Sequence, residues 1–179
     1  MKRNALLLMI PAVLLVAACA STDPMAPMVP GAMTDSEVAA VVQTANEGEV
    51  MHGQAASTRA TNAEVRAFAQ MMVTDHSNAN EQLRNFLSTN NMTASETSAS
   101  SALRDNAQRS LTALNSYSGA AFDREYMNSQ VAMHQWVLNS LDNTLIPSTR
   151  NAGLRTWLQG QRAAVATHLD RARRIQSGL

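Results

Sequence analysis

Thr34-Asp35-Ser36-Glu37 and Thr61-Asn62-Ala63-Glu64 each place a glutamate three positions after a threonine, at the head of an apolar run. In such a capping box the hydroxyl and the carboxylate satisfy each other's free backbone amides, and a helix is set to begin there. Behind each box apolar residues return every three or four positions, the period of a helix with one buried face. The first stripe runs to about Ser57 through Val38, Val42, Ala45, Glu49, His52 and Ala56. The second runs to about Thr89 through Val65, Phe68, Met72, His76, Ala79, Leu83 and Leu87. After a polar stretch, 90–98, a shorter helix from about Ala99 to Tyr117 shows Leu103, Ala107, Leu111 and Leu114, and Gly119 breaks it. A fourth, about Ala120 to Leu145, presents Met127, Val131, His134, Leu138 and Leu141 and is stopped by Pro147. A fifth, about Asn151 to Gln176, presents Leu154, Leu158, Gln161, Val165, His168, Ala172 and Ile175. Aromatic residues are only 4%, and the other apolar residues are mostly Ala, Val, Leu and Met, which suit closely packed helices. The expected fold is all-α, and an all-β fold is excluded.

Ahead of the helices, Met1-Lys2-Arg3 is basic, and the uncharged run from Ala5 to Ala18 is shorter than the roughly 20 residues a membrane-crossing helix needs. It reads as a secretion signal. The run closes on Val16-Ala17-Ala18-Cys19, which resembles the lipobox of bacterial lipoproteins and implies lipidation at Cys19; cleavage at an ordinary Ala-x-Ala site is the other reading. Ala20 and Ser21 follow, and the lack of Asp there implies, by resemblance to the proteobacterial sorting pattern, an outer-membrane anchor facing the periplasm. The expected division is therefore a signal peptide over 1–18, lipidated Cys19 with a flexible tether to residue 33, and a helical domain over 34–177. Pro24, Pro27, Pro30 and Gly31 keep the tether out of a helix. With one cysteine in the sequence, no disulfide forms within the mature chain. Removal of Lys2 and Arg3 leaves no lysine and a small negative balance, which disfavours nucleic acid. The one expected partner is the membrane, through the lipid.

Each of the four long helices carries one histidine, and each histidine falls on the apolar stripe. Two readings follow. A buried histidine is commonly a satisfied core residue; four brought to one bundle interior are also a ligand set, since neutral imidazole binds transition metals. Glu49 and His52 form Glu-x-x-His on one helical face. Asp75 adjoins His76 but points to another face, so it is read as an outward group or one that supports a ligand. Gly48 and Gly53 bracket Glu49 and His52, either as sites of close backbone approach or as tolerated weak helix formers. Met51-His52 and Met133-His134 place soft sulfur beside imidazole, a pairing copper can use. No Ser-His-Asp set, phosphate loop or cysteine array is present, and no catalytic residue is assigned.

The segments 64–76, 119–127 and Thr167-His168-Leu169 are similar to a bacterial envelope family labelled "predicted outer membrane protein", a domain of unknown function grouped with ferritin-like bundles. The likeness covers about Thr34 to Gln176. It implies a ferritin-like four-helix bundle with an additional shorter crossover helix. In that family Glu49, His76, Asp123, Tyr126, His134 and His168 match recurring positions, whereas a small residue is usual at His52. The ferritin-like kinship implies a metal site; taken with the stripes above, the expected ligands are Glu49, His76, His134 and His168, with His52, Asp75, Asp123 and Tyr126 as additional or outlying members. The ion would be iron, zinc or copper. The paired Glu-x-x-His motifs of di-iron enzymes are missing. The rival is a structural or stress-related envelope protein without metal or catalysis.

Short links predict that all five helices alternate in direction, with the fourth beside the second. At about 1.5 Å per residue, His76 and His134 then lie about 24 and 22 Å from the joint of the first two helices, and Glu49 and His168 about 14 Å. Two levels are expected, with Tyr126 near the second. An error of one helical turn leaves a single merged site open. If the short helix drops out of the count, His76, His134 and His168 gather within about 10 Å of height.

Overall fold

Thr34 caps the first helix as its box requires. In the computed structural model, which describes residues 32–179, the Glu37 amide donates to Thr34 Oγ1 while the Glu37 carboxylate accepts from the Thr34 amide at 2.8 Å. This opens α1 (Asp35–Arg59). The second box does not form. Asn62, not Thr61, caps α2 (Ala63–Thr89), its Oδ1 accepting from the Glu64 and Val65 amides. Thr61 is already engaged: the Asp123 carboxylate accepts from the Thr61 amide, the Thr61 hydroxyl and the Asn62 amide. A carboxylate offered three donors outcompetes a neutral hydroxyl cap.

The short helix α3 (Ser98–Leu114) starts at a Thr97/Ser100 box. Gly119, at φ 56°, opens α4 (Gly119–Ser140); this is left-handed backbone that glycine adopts without strain. The sequence reading carries this helix unbroken to Leu145. Instead Leu141–Leu145 forms a π-helical turn, the Ile146 amide reaching back five residues to the Leu141 carbonyl, and a last turn α5 (Ile146–Ser148) follows. Pro147 explains the change. It lacks an N–H and its ring presses on the carbonyl four residues earlier, so the turn before it widens rather than continuing as α. After Asn151, α6 (Ala152–Ser177) completes the chain. All regular elements among the described residues are helical, and none of these helices is long and apolar enough to cross a membrane.

Two aspartates fix the helix directions. At one end Asp35, in the first turn of α1, accepts from the Arg150 and Asn151 amides before α6. The Ser95 amide before α3 donates to Ser36 O nearby. At the other end Asp123 of α4 holds the α1–α2 link, and Arg59 reaches Asn115 and Tyr117 after α3. The four long helices and the short α3 therefore alternate in direction, as expected. Their neighbours differ from expectation: α1 pairs with α2 and α4 with α6, so α4 lies diagonally across from α2 rather than beside it, and α3 packs outside α1. Gly53 permits the first pairing, since a Cβ there would stand 2.9 Å from Ala69 O on α2. At Gly48 a Cβ would stand 3.2 Å from Ala107 Cβ on α3. Close approach, not tolerance, accounts for both glycines.

The interior is two apolar cores. Val38, Leu83, Leu103, Leu141, Leu154 and Leu158 belong to the one toward the Asp35 end; Phe68, Met72, Phe122, Tyr126, Met127 and Ala172 belong to the other. Met33, placed by the sequence reading at the end of the tether, is buried in the first core, so ordered packing begins before Thr34. The rest of the expected tether to Gly31, Cys19 and the leader lie outside the described residues.

Candidate metal centre

Along each long helix the order of side chains is one core, a polar residue, then the other core: Val42, Glu49, Ala56 on α1; Leu83, His76, Met72 on α2; Leu138, His134, Met127 on α4; Val165, His168, Ala172 on α6. A buried polar layer thus crosses the bundle. The rings of His76, His134 and His168 form a nearly equilateral triangle, with centroids 5.9, 5.4 and 5.6 Å apart and planes inclined at 58–75°. Each can bring one ring nitrogen within 4.8 Å of the others'.

The expected separation into two levels is not found. Side chains on a helix lean toward its N-terminus. Because α2 and α4 run opposite to α6, His76 and His134 lean one way along the bundle axis and His168 the other. The level difference counted on the backbone closes at the rings.

Hydrogen bonds fix which nitrogen each ring offers. His134 Nδ1 donates to the Gln130 carbonyl of its own helix at 2.9 Å, leaving Nε2 free. His76 Nδ1 donates to Asn46 Oδ1 at 2.9 Å, and the Asn46 amide donates to Asn80 Oδ1 at 3.0 Å, so Nε2 is free again. His168 Nε2 donates to Asp75 Oδ2 at 3.0 Å, leaving Nδ1. Each imidazole has one nitrogen anchored and one buried lone pair without a hydrogen bond. Asp75 is half-exposed, as its spacing predicted, and orients His168 from outside. Asn46, Asn80 and Gln130 were not singled out from the sequence. The available signal was their position, one helical turn or so from Glu49, His76 and His134 on the same buried faces.

Burial keeps the three rings neutral. Desolvation, followed by the neighbouring His134 and His168, pushes His76 well below the usual histidine range. Desolvation brings His134 down to about 4 despite its bond to the Gln130 carbonyl. Desolvation also lowers His168, with the Asp75 carboxylate opposing. Neutral imidazole is the metal-binding form.

Glu49 belongs to the same layer but falls outside the 4.8 Å set. Its Oε2 accepts from Gln130 Nε2 at 2.9 Å, and its Oε1, 3.8 Å from His134 Nδ1, is buried without a hydrogen bond. Desolvation raises its pKa. The buried Tyr126 hydroxyl is likewise unpartnered, its pKa raised well above the usual value by desolvation and then by Glu49. Two other expected members are elsewhere. His52 faces α3, its Nε2 donating to the Ala107 carbonyl at 3.0 Å, because the close α1–α3 contact at Gly48 brings that carbonyl within reach. Asp123 closes the α1–α2 link, as described. Met51 lies in an outer groove between α1 and α2, so the Met51-His52 pair is not part of the centre.

A cavity of about 30 Å³ borders the layer, with Asn46, Glu49, His76 and His134 at its polar end. The chemistry of the layer favours a cation. Six buried polar atoms lack hydrogen bonds here: the three ring nitrogens, Glu49 Oε1, Gln130 Oε1 and the Tyr126 hydroxyl. Each such group left unsatisfied costs about 1–3 kcal/mol, so together they rival the roughly 5–15 kcal/mol net stability of a whole domain. Acceptors outnumber donors, and a water has two hydrogens for three lone pairs. A metal ion satisfies all three at once, and three neutral nitrogens suit zinc, copper or iron.

Comparison with known proteins gives no match among curated proteins and none among solved structures. A family model does match, over residues 20–175, nearly the whole chain beyond the expected leader. The helical domain with its three-histidine layer therefore belongs to the family described as domain of unknown function DUF4142.

Proposed function

We propose that this domain binds one transition-metal ion through His76, His134 and His168, and that it does so in the bacterial envelope, tethered to the outer membrane through lipidated Cys19. The observation that carries the metal reading is the set of three buried ring nitrogens, each left free by an outward hydrogen bond from its partner nitrogen. Three helices, α2, α4 and α6, contribute one ligand each, so binding ties both helix pairs together. Glu49 lies beside this set as a reserve oxygen donor. The envelope reading rests on the leader, on Cys19 at its end and on the envelope family that the chain resembles.

Elemental analysis after reconstitution with iron, copper or zinc and removal of loose metal tests the first part. One equivalent per chain is expected, falling to background in His76→Ala and His134→Ala while helical circular dichroism persists. Equal metal in wild type and both variants, or none in any, overturns it in favour of satisfied core histidines. Membrane fractionation tests the second part: Cys19→Ser should leave the outer-membrane fraction, and retention there through the mature N-terminus contradicts a lipid anchor.

A further inference from the structure

We infer that the cavity beside the histidines binds a small uncharged ligand of diatomic size, held at an open position of the metal centre; this rests on the metal-binding reading above. The size argument comes first. A cavity needs about 10–15 Å³ to hold one water, so about 30 Å³ suits a body of two or so heavy atoms.

Polarity narrows the class. Beyond the polar end the wall is mostly aliphatic, formed by Val41, Val42, Val137, Leu141, Leu145 and Val165, with Ser140 the one buried hydroxyl residue among them. A water placed against the aliphatic side chains finds no hydrogen-bond partner, and an anion there is buried without compensation. A neutral diatomic suffers neither cost.

The fold builds this wall deliberately at one place. The π-helical turn carries both Leu141 and Leu145, 2% and 3% exposed, into the bundle, where they line the cavity. Widened turns of this kind recur at functional sites. The polar end supplies the other requirement. His76 and His134 border the cavity, and three protein ligands leave a four-coordinate ion one open position. Half-buried Ala45, Trp136 and Gln161 also line the cavity, so its rim lies near the surface and gives a small molecule a short route in.

The test loads the full chain with Cu(I) under carbon monoxide, reading metal by elemental analysis and the ligand by its C–O stretch in the infrared, on the same sample. One carbon monoxide per bound copper is expected. The bulky tert-butyl isocyanide, which also binds through carbon, should bind at least 100-fold more weakly than carbon monoxide. Val137→Phe, which fills the cavity, should keep its copper and lose at least tenfold in carbon monoxide affinity. Copper bound without a carbonyl band, comparable binding of both ligands, or unchanged binding in a folded Val137→Phe each overturns the inference while the metal reading stands. If Val137→Phe does not fold, the comparison of the two ligands on the unaltered chain decides. A wild-type chain that takes up no copper, zinc or iron overturns the metal reading and this inference with it.

Discussion

Asn46 carries the orientation of His76. Its Oδ1 accepts from the ring, its amide donates to Asn80, and the Asn80 amide in turn reaches the Gln43 carbonyl. Asn46 cannot flip without setting donor against donor at one contact and acceptor against acceptor at the other. His76 is thereby held with its proton on Nδ1 and a buried lone pair on Nε2. His134 obtains the same result from a carbonyl of its own helix, which no side-chain substitution removes. Asn46→Leu should therefore lower metal affinity about 10–100-fold, the usual effect of losing a partner behind a ligand. It should also cost about 1–3 kcal/mol in the metal-free protein by leaving His76 Nδ1 and Asn80 Oδ1 without their partner. Asn46→Asp, which keeps an acceptor for the ring, should retain most of the affinity. Chelator competition measures both, and equal affinity in Asn46→Leu and wild type would show that the relay does not set the tautomer.

At the scale of elements, the helices and their alternating directions were legible because capping residues, apolar period and short links are local signals. What could not be read was how the helices meet. The second capping box failed because Asp123, about sixty residues away, took its donors. The histidine levels merged because rings on opposed helices lean toward one another, which a backbone count omits. The π-helical turn before Pro147 depends on how the chain relieves a local clash. The glycines could be read only as alternatives until the neighbouring backbone was in place. They now give opposite predictions for the same substitution. Gly53→Ala gains helix propensity, but its Cβ meets Ala69 O and Val73 Cγ2 at 2.9 Å, and overpacking of about 1–3 kcal/mol outweighs the gain. Gly160, exposed on α6 with nothing within 4 Å of an added Cβ, should gain about 0.5–1 kcal/mol as Gly160→Ala. Urea midpoints compare the two. A Gly53→Ala protein at least as stable as wild type would mean that α1 and α2 can separate freely at that crossing.

For the whole molecule, a polar layer between two apolar cores makes the metal-free bundle sensitive to acid in a defined window. The folded-state pKa values of His76, His134 and His168 are depressed below 6.5 by burial. Their contribution is fully present above the unfolded value of about 6.5 and is lost as pH falls below it, because the unfolded chain takes up protons that the folded one refuses. For His134, displaced to about 4, the loss between those pH values is of the order of 3 kcal/mol. Glu49 acts with the opposite sign. Its raised pKa costs stability as pH climbs above the ordinary carboxylate range, so part of the acid loss is returned near the bottom of the window. Metal bound to the neutral rings deepens the contrast, since protons must now displace the ion. Free metal at about 100 times Kd adds about 2.7 kcal/mol, or roughly 5–10 °C in Tm for a domain of this size. Melting curves between pH 8 and 4, with chelator and with metal, should show Tm falling below pH 6.5 in both series and the metal increment vanishing toward pH 4. A chelated protein with flat Tm across that range would mean that the histidines are not held neutral. A metal increment that survives at pH 4 would place the bound ion on carboxylates rather than on the three imidazoles.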